Sequence, residues 1–139
     1  MSLFDQFAED LVAKSFTLQN GVTVLNVTPH PLTFGYEDGT IDTVPTSGYV
    51  AFADTVFEPL PEVDGIEFVH TVFAPRQEQS LLLAELVELL PACSVIVGSI
   101  IAAQAYPEIV TGMQLFSNRE TLAGDRVYRT DPNRFNRAN

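Results

Sequence analysis

The residues best suited to chemistry gather in VLNVTPHPLTF, residues 24–34. Pro29 and Pro31 bracket His30 and fix the backbone on both sides of it. A strand cannot continue as a central ladder through two prolines, so His30 belongs at a strand end with little freedom. An imidazole held this way suits a proton shuttle or a ligand. Asn26 and Thr28 can hydrogen-bond the neighbouring backbone and shape the bend. The same residues also make a rigid turn whose purpose is structural, and no acid or metal-spaced partner stands near His30 in the sequence. If a small ligand binds, the candidates are Asn26, Thr28, His30 and Ser99.

Ser99 enters through VIVGS, residues 95–99, where a buried strand runs into a helix. That junction can offer N–H groups and a hydroxyl to an anion. It lacks the lysine and further glycines of a phosphate loop, and Ser99 serves equally as a helix N-cap. Cys93 precedes an apolar strand, where thiols are inert. His70 shares a strand face with Ile66, Phe68 and Val72, which predicts a core histidine. Glu37, Asp38 and Asp42 surround a hairpin tip and read as a solvated acidic surface, too sparse in ligands for calcium. No residue is assigned a catalytic role, and no metal or cofactor is expected.

Charge is divided unevenly along the 139 residues. Residues 1–118 hold fifteen acids against Lys14 and Arg76, whereas residues 119–139 hold five arginines against three acids. The net charge of −11 argues against a body that binds nucleic acid. Arginines without lysine favour bidentate pairing with carboxylates, so Arg126, Arg129, Arg134 and Arg137, with Phe135 between them, are expected to grip an acidic neighbour. Contact with phosphate and a solvated terminus are the other readings. The near-absence of lysine fits either high-salt adaptation or an ordinary acidic protein. With one cysteine there is no internal disulfide framework. No apolar run reaches the ~20 residues of a spanning helix, and the N-terminus lacks the pattern of a secretion signal. The expected setting is therefore inside the cell, or a particle packed there, without a membrane partner.

The elements that must position these groups follow from periodicity. Residues 2–14 predict an amphipathic helix with Leu3, Phe4, Phe7, Leu11 and Val12 on one face and Ser2 as its cap. Phe4, Phe7 and Leu11 are candidate partner contacts. VTVLNVT predicts a buried strand; LTFGY and TIDTV predict a hairpin; YVAFADTVF and IEFVHTVFA predict strands separated by the acidic, proline-punctuated loop EPLPEVDG. Residues 78–90 predict the main packing helix, CSVIV a buried strand, IIAAQAY a short helix, and MQLF and RVYRT further strands. This is an α+β chain: a mostly antiparallel or mixed sheet of five to six strands with one main helix. The expected organisation is an N-terminal helix over residues 1–15, one domain over 16–117 and an extended arm over 118–139, both ends lying outside the core.

NVTPHPLTF, VPTSGYVA, DGIEFVHTVF and VIVGSIIAAQAYP together resemble an uncharacterised family of small proteins encoded by tailed phages, archaeal viruses and proviruses. That family carries an Asn-Leu-Thr-Pro-His-like segment followed by a Pro-Ser-Gly-like step, a Gly-Ile-Pro-Val-like strand and an Ile-Val-Ser-like strand before a small-residue helix. The likeness spans residues 22 to 112. Val27, Thr46 and Gly98-Ser99 depart from the family pattern. The resemblance implies a viral setting and no particular chemistry. The leading expectation is a non-enzymatic virion protein, such as a minor capsid, cement or tail-associated subunit. It would be assembled in the host cytoplasm and bind other copies or other virion proteins through its ends. The alternatives are a small enzyme or ligand-binding domain using His30, and a viral regulator that binds a host protein through its first helix.

Overall fold

The computed structural model describes residues 2–115 and 130–138 and, as expected, is α+β. In chain order the elements are α1 (Leu3–Val12), β1 (Phe16–Thr17), β2 (Thr23–Asn26), β3 (Leu32–Gly35), β4 (Ile41–Val44), β5 (Asp54–Val63) and β6 (Ile66–Ala74). They continue with α2 (Gln77–Leu89), β7 (Ser94–Val97), α3 (Ile100–Ala105), β8 (Val110–Leu115) and β9 (Thr130–Asn136). Five strands form a mixed sheet in the order β1-β2-β7-β8-β9. β2, β7 and β8 run parallel at its centre, and β1 and β9 close the edges antiparallel. β3–β4 and β5–β6 are separate two-stranded ribbons.

The central strands are apolar on both faces because both faces are covered. Strand side chains alternate in direction, so Leu25, Val27 and Ile96 point one way and Val24 and Val97 the other. The first set packs with Ala8 and Leu11 of α1, Leu82, Leu83 and Leu86 of α2, and Ala102, Ala103 and Ala105 of α3. The second packs with Leu18 and with Leu32, Phe34 and Val44 of the β3–β4 ribbon. The sheet is thus a middle layer between three helices and a hairpin.

Two expectations about the ends are corrected here. α1 begins where expected, with Ser2 Oγ accepting from Asp5 N at 3.0 Å, but it is not external. Ala8 and Leu11 are buried and α1 packs on α2. The described part of the C-terminal arm is extended as expected but does not lie outside the sheet: Thr130–Asn136 is its edge strand, with Phe135 opposite Met113 of β8. The expected strand RVYRT lies almost wholly outside the described residues.

Gly98 at the β7–α3 turn is obligatory for packing. A Cβ there would meet Val110 Cγ1 at 2.7 Å and Ala102 Cβ at 3.2 Å, so the crossover closes only without a side chain. Gly98→Ala should lower stability by about 2 kcal/mol. Leu83→Ala, in the fully buried centre of α2, should cost about 3 kcal/mol. Urea titration with constant slope checks both, and a loss under ~0.5 kcal/mol at either position would contradict the packing described.

Candidate functional site

Asn26, Thr28 and His30 do meet, but through His30's main chain. Asn26 Nδ2 donates to the His30 carbonyl at 2.8 Å and to the Val44 carbonyl at 3.3 Å. Asn26 Oδ1 accepts from Thr28 N at 2.9 Å and Thr28 Oγ1 at 2.7 Å. Ser47 Oγ donates to the Asn26 carbonyl at 2.6 Å, and Ser47 N reaches the same oxygen at 3.0 Å. Asn26 and Ser47 are fully enclosed. A buried amide that uses both ends costs little, whereas removing it strands several main-chain groups. The His30 residue is exposed, and its backbone supplies the contacts. Ser99 lies elsewhere, capping α3 by accepting from Ala102 N at 3.1 Å. The four residues therefore do not form one ligand site. A cavity of about 220 Å³ lined in part by Cys93, Glu108 and Arg137 contains none of them.

Of the hairpin acids, Asp38 and Asp42 are likewise engaged. Asp42 accepts from the Tyr36 hydroxyl and, at 2.9 Å, from Gln19 N, so it is not simply solvated. Burial disfavours its charged form, but the hydrogen bonds from Tyr36 and Gln19 outweigh that and hold the carboxyl below its usual range. Burial together with Asp42 pushes the Tyr36 hydroxyl upward.

Of the expected partner contacts, Leu11 is in the core. Phe4 and Phe7 are half exposed, and Phe7 meets Tyr49 edge-on at 6.1 Å between ring centroids. Arg126 and Arg129 lie outside the described residues. Arg134 pairs within its own strand to the buried Asp131 at 3.2 Å, Phe135 packs on Phe34 at 5.9 Å, and Arg137 donates to the Glu108 carbonyl at 2.9 Å. These three contacts are with the protein's own subunit, because β9 completes the sheet and brings them over β3 and the α3–β8 loop.

The surface that sequence reasoning missed is the β5–β6 ribbon. EPLPEVDG is not a loop. Most of it is strand, turning at Asp64-Gly65, both with positive φ as an Asp-Gly hairpin turn requires. All ten residues of β5 are exposed. Val56, Phe57, Leu60, Val63, Ile66, Phe68 and Val69 are 45–63 % exposed, spread over both faces. His70 is exposed opposite Glu58, not in the core. Alternation in IEFVHTVFA was the available signal; what it could not say is that neither face is covered.

The ribbon's root is held firmly. Phe73 packs against the helix-side core. Tyr106 OH accepts from Arg76 N at 2.9 Å and donates to the Phe52 carbonyl at 3.0 Å. Phe52 N donates to Gln79 Oε1 at 2.9 Å. Arg76 stacks over the Phe52 ring at 4.3 Å and pairs with Asp54 at 2.9 Å. Both strands of the ribbon are thereby tied to α2 and α3.

Among the described residues no group of three His, Cys, Asp or Glu side chains could hold a metal, and no helix is long and apolar enough to cross a membrane. No family model, curated protein or solved structure matches this chain.

Asn26→Ala should cost about 3 kcal/mol by stranding buried main-chain groups, while His30→Ala should stay within ~0.5 kcal/mol. Denaturant melts of the two variants decide this, and the reverse order would restore the imidazole as the important group. Asp42, with its lowered folded-state pKa, contributes stability that is complete above the unfolded value of ~3.9. That contribution disappears as pH falls through the folded value. Asp42→Asn should therefore show a shallower loss of stability on acidification than the parent chain. Superimposable pH–stability curves would refute the role given to this carboxylate.

Proposed function

We propose that this chain is a non-enzymatic assembly subunit of a viral particle, a minor capsid, cement or tail-associated protein that binds its neighbours through the β5–β6 ribbon. The observation that carries the reading is that ribbon: seven large apolar side chains in water on a hairpin anchored at one end. Exposed apolar side chains concentrated on one element in this way mark protein–protein contact. Rigid anchoring supports the same reading, since little ordering entropy remains to be lost on docking. The viral setting rests on the resemblance of NVTPHPLTF and the three segments after it. This reading does not rest on the terminal arginines, of which Arg134 and Arg137 contact Asp131 and the Glu108 carbonyl of the same chain. Nucleic acid does not fit the ribbon, where Glu58, Glu62, Asp64 and Glu67 would meet phosphate.

Two measurements test it. Mass spectrometry of particles purified from the infected host should detect this chain in stoichiometric amount; particles that lack it would end the proposal. Replacing residues 58–70 by Asn-Gly joins Phe57 to Thr71, which already face each other. The shortened chain should keep its melting temperature within a few degrees, as the core is untouched, yet fail to enter particles.

A further inference from the structure

The two edges of the ribbon are chemically different. β5 carries Pro59 and Pro61, which donate no N–H, and Asp54, Glu58 and Glu62. Prolines and charges of this kind are how an exposed strand edge is kept from pairing. β6 has none of these protections over its nine residues except Glu67. It is otherwise built of strand-forming Ile66, Phe68, Val69, Thr71, Val72 and Phe73 with one histidine. The other described edges are short or blunted: β1 has two residues, β4 has four, and β9 contains Pro132.

We infer that a second copy of this chain occupies the β6 edge. Two β6 strands pair antiparallel across a two-fold axis near Val69, joining the ribbons into one four-stranded sheet ordered β5-β6-β6-β5. The inference deepens the assembly reading above and rests on it.

Charge selects this arrangement over the alternatives. Antiparallel pairing through β5 about an axis at Glu58 would set Glu58 against its own copy and Asp54 against the other copy's Glu62. Pairing through β6 leaves the two β5 strands three strand spacings apart, ~14 Å, beyond the ~8 Å screening length at physiological salt.

Register follows from the neighbours. α3 packs against β6, and Thr71–Ala74 are the part of the ribbon that is half covered, so the strand is open toward its tip. An axis at Val69 centres the pairing within that open stretch and reaches only Thr71 and Val72 of the half-covered part. Ile66 then faces Val72, Glu67 faces Thr71, and Phe68 faces His70, with no acid opposite an acid. The same register carries the partner's hairpin tip, with Val63 and Ile66, toward α3. There Ile100 and Ile101 form the next exposed apolar patch. One two-fold contact thus engages both apolar surfaces, and it is isologous, closing as a dimer.

The full-length chain tests this directly. Sedimentation velocity should show a dimer at micromolar concentration. In a Cys93→Ser background, Val69→Cys should form a disulfide-linked homodimer nearly quantitatively under mild oxidation, whereas Phe57→Cys on β5 should not. Val69→Lys and Val69→Glu, at an exposed position, should each fold normally by circular dichroism and weaken dimerisation about tenfold. Mixing the two variants should restore it, because only a two-fold contact places residue 69 against itself. A wild-type dimer with no Val69→Cys cross-link, indifferent to both charge variants, would overturn the β6 contact while leaving the assembly reading standing. A wild type that stays monomeric throughout would also overturn the contact, and particle composition would then judge the assembly reading alone.

Discussion

The parallel pairing of β2 with β7 is the contact on which the rest of this molecule depends. Thr23 faces Ser94 and Asn26 faces Val97, and that register sets the direction of every side chain in between. A one-residue slip of β7 against β2 would send Ile96 to the hairpin side and Val97 to the helix side while Leu25 and Val24 stayed in place. The register is pinned at its C-terminal end by packing and hydrogen bonds together. Gly98 lets the chain turn into α3 against Val110, and Gly98 N donates to the Thr111 carbonyl at 2.9 Å. Beside it, Asn26 ties its own strand to the His30 and Val44 carbonyls. The Pro-His-Pro segment is thus best understood as the closing turn of this strand. Its prolines present the carbonyl that Asn26 needs.

What the residues disclosed in advance was the part governed by local chemistry. α1, α2 and α3 were legible from their periodicity and caps, and the β3–β4 ribbon from its Glu-Asp-Gly tip. β2 and β7 were legible as doubly covered strands because both read as continuous apolar runs. The error at His70 has a simple cause. Periodicity reports that a residue is apolar, not whether another element exists to cover it. His70 was expected in the core because Ile66 and Phe68 share its face, and all three are exposed. EPLPEVDG was read as a loop because prolines oppose central strands, and β5 is indeed no central strand. Its prolines mark an edge. The expectation of a partner for the arginines near the C-terminus came from charge along the chain, which does not say where the fold places Arg134 and Arg137. β9 returns Arg134 to Asp131 and Arg137 to the Glu108 carbonyl.

The ribbon and the body obey opposite rules. In the body, the apolar residues of β2 and β7 are largely enclosed, and polar ones such as Asn26 and Gln79 are spent on holding elements together. In the ribbon, apolar residues stand outside and the polar machinery is confined to the root, where Arg76, Tyr106, Gln79 and Asp54 bind Phe52 and β5 to the helices. An isolated two-stranded hairpin is marginal in water. One that persists with exposed valines and phenylalanines draws its stability from this root, since little along its length is buried.

The acidity of the chain then acquires a local meaning. Exposed apolar strands invite indiscriminate association, and the carboxylates of β5 oppose that by charging one edge and the tip. They leave the other edge chemically distinct. A ribbon protected everywhere would be soluble and inert; one protected nowhere would aggregate. In the β6 pairing proposed above, protection of β5 alone restricts association to a geometry that keeps those carboxylates apart, and specificity comes from what the acids forbid as much as from what the apolar side chains attract.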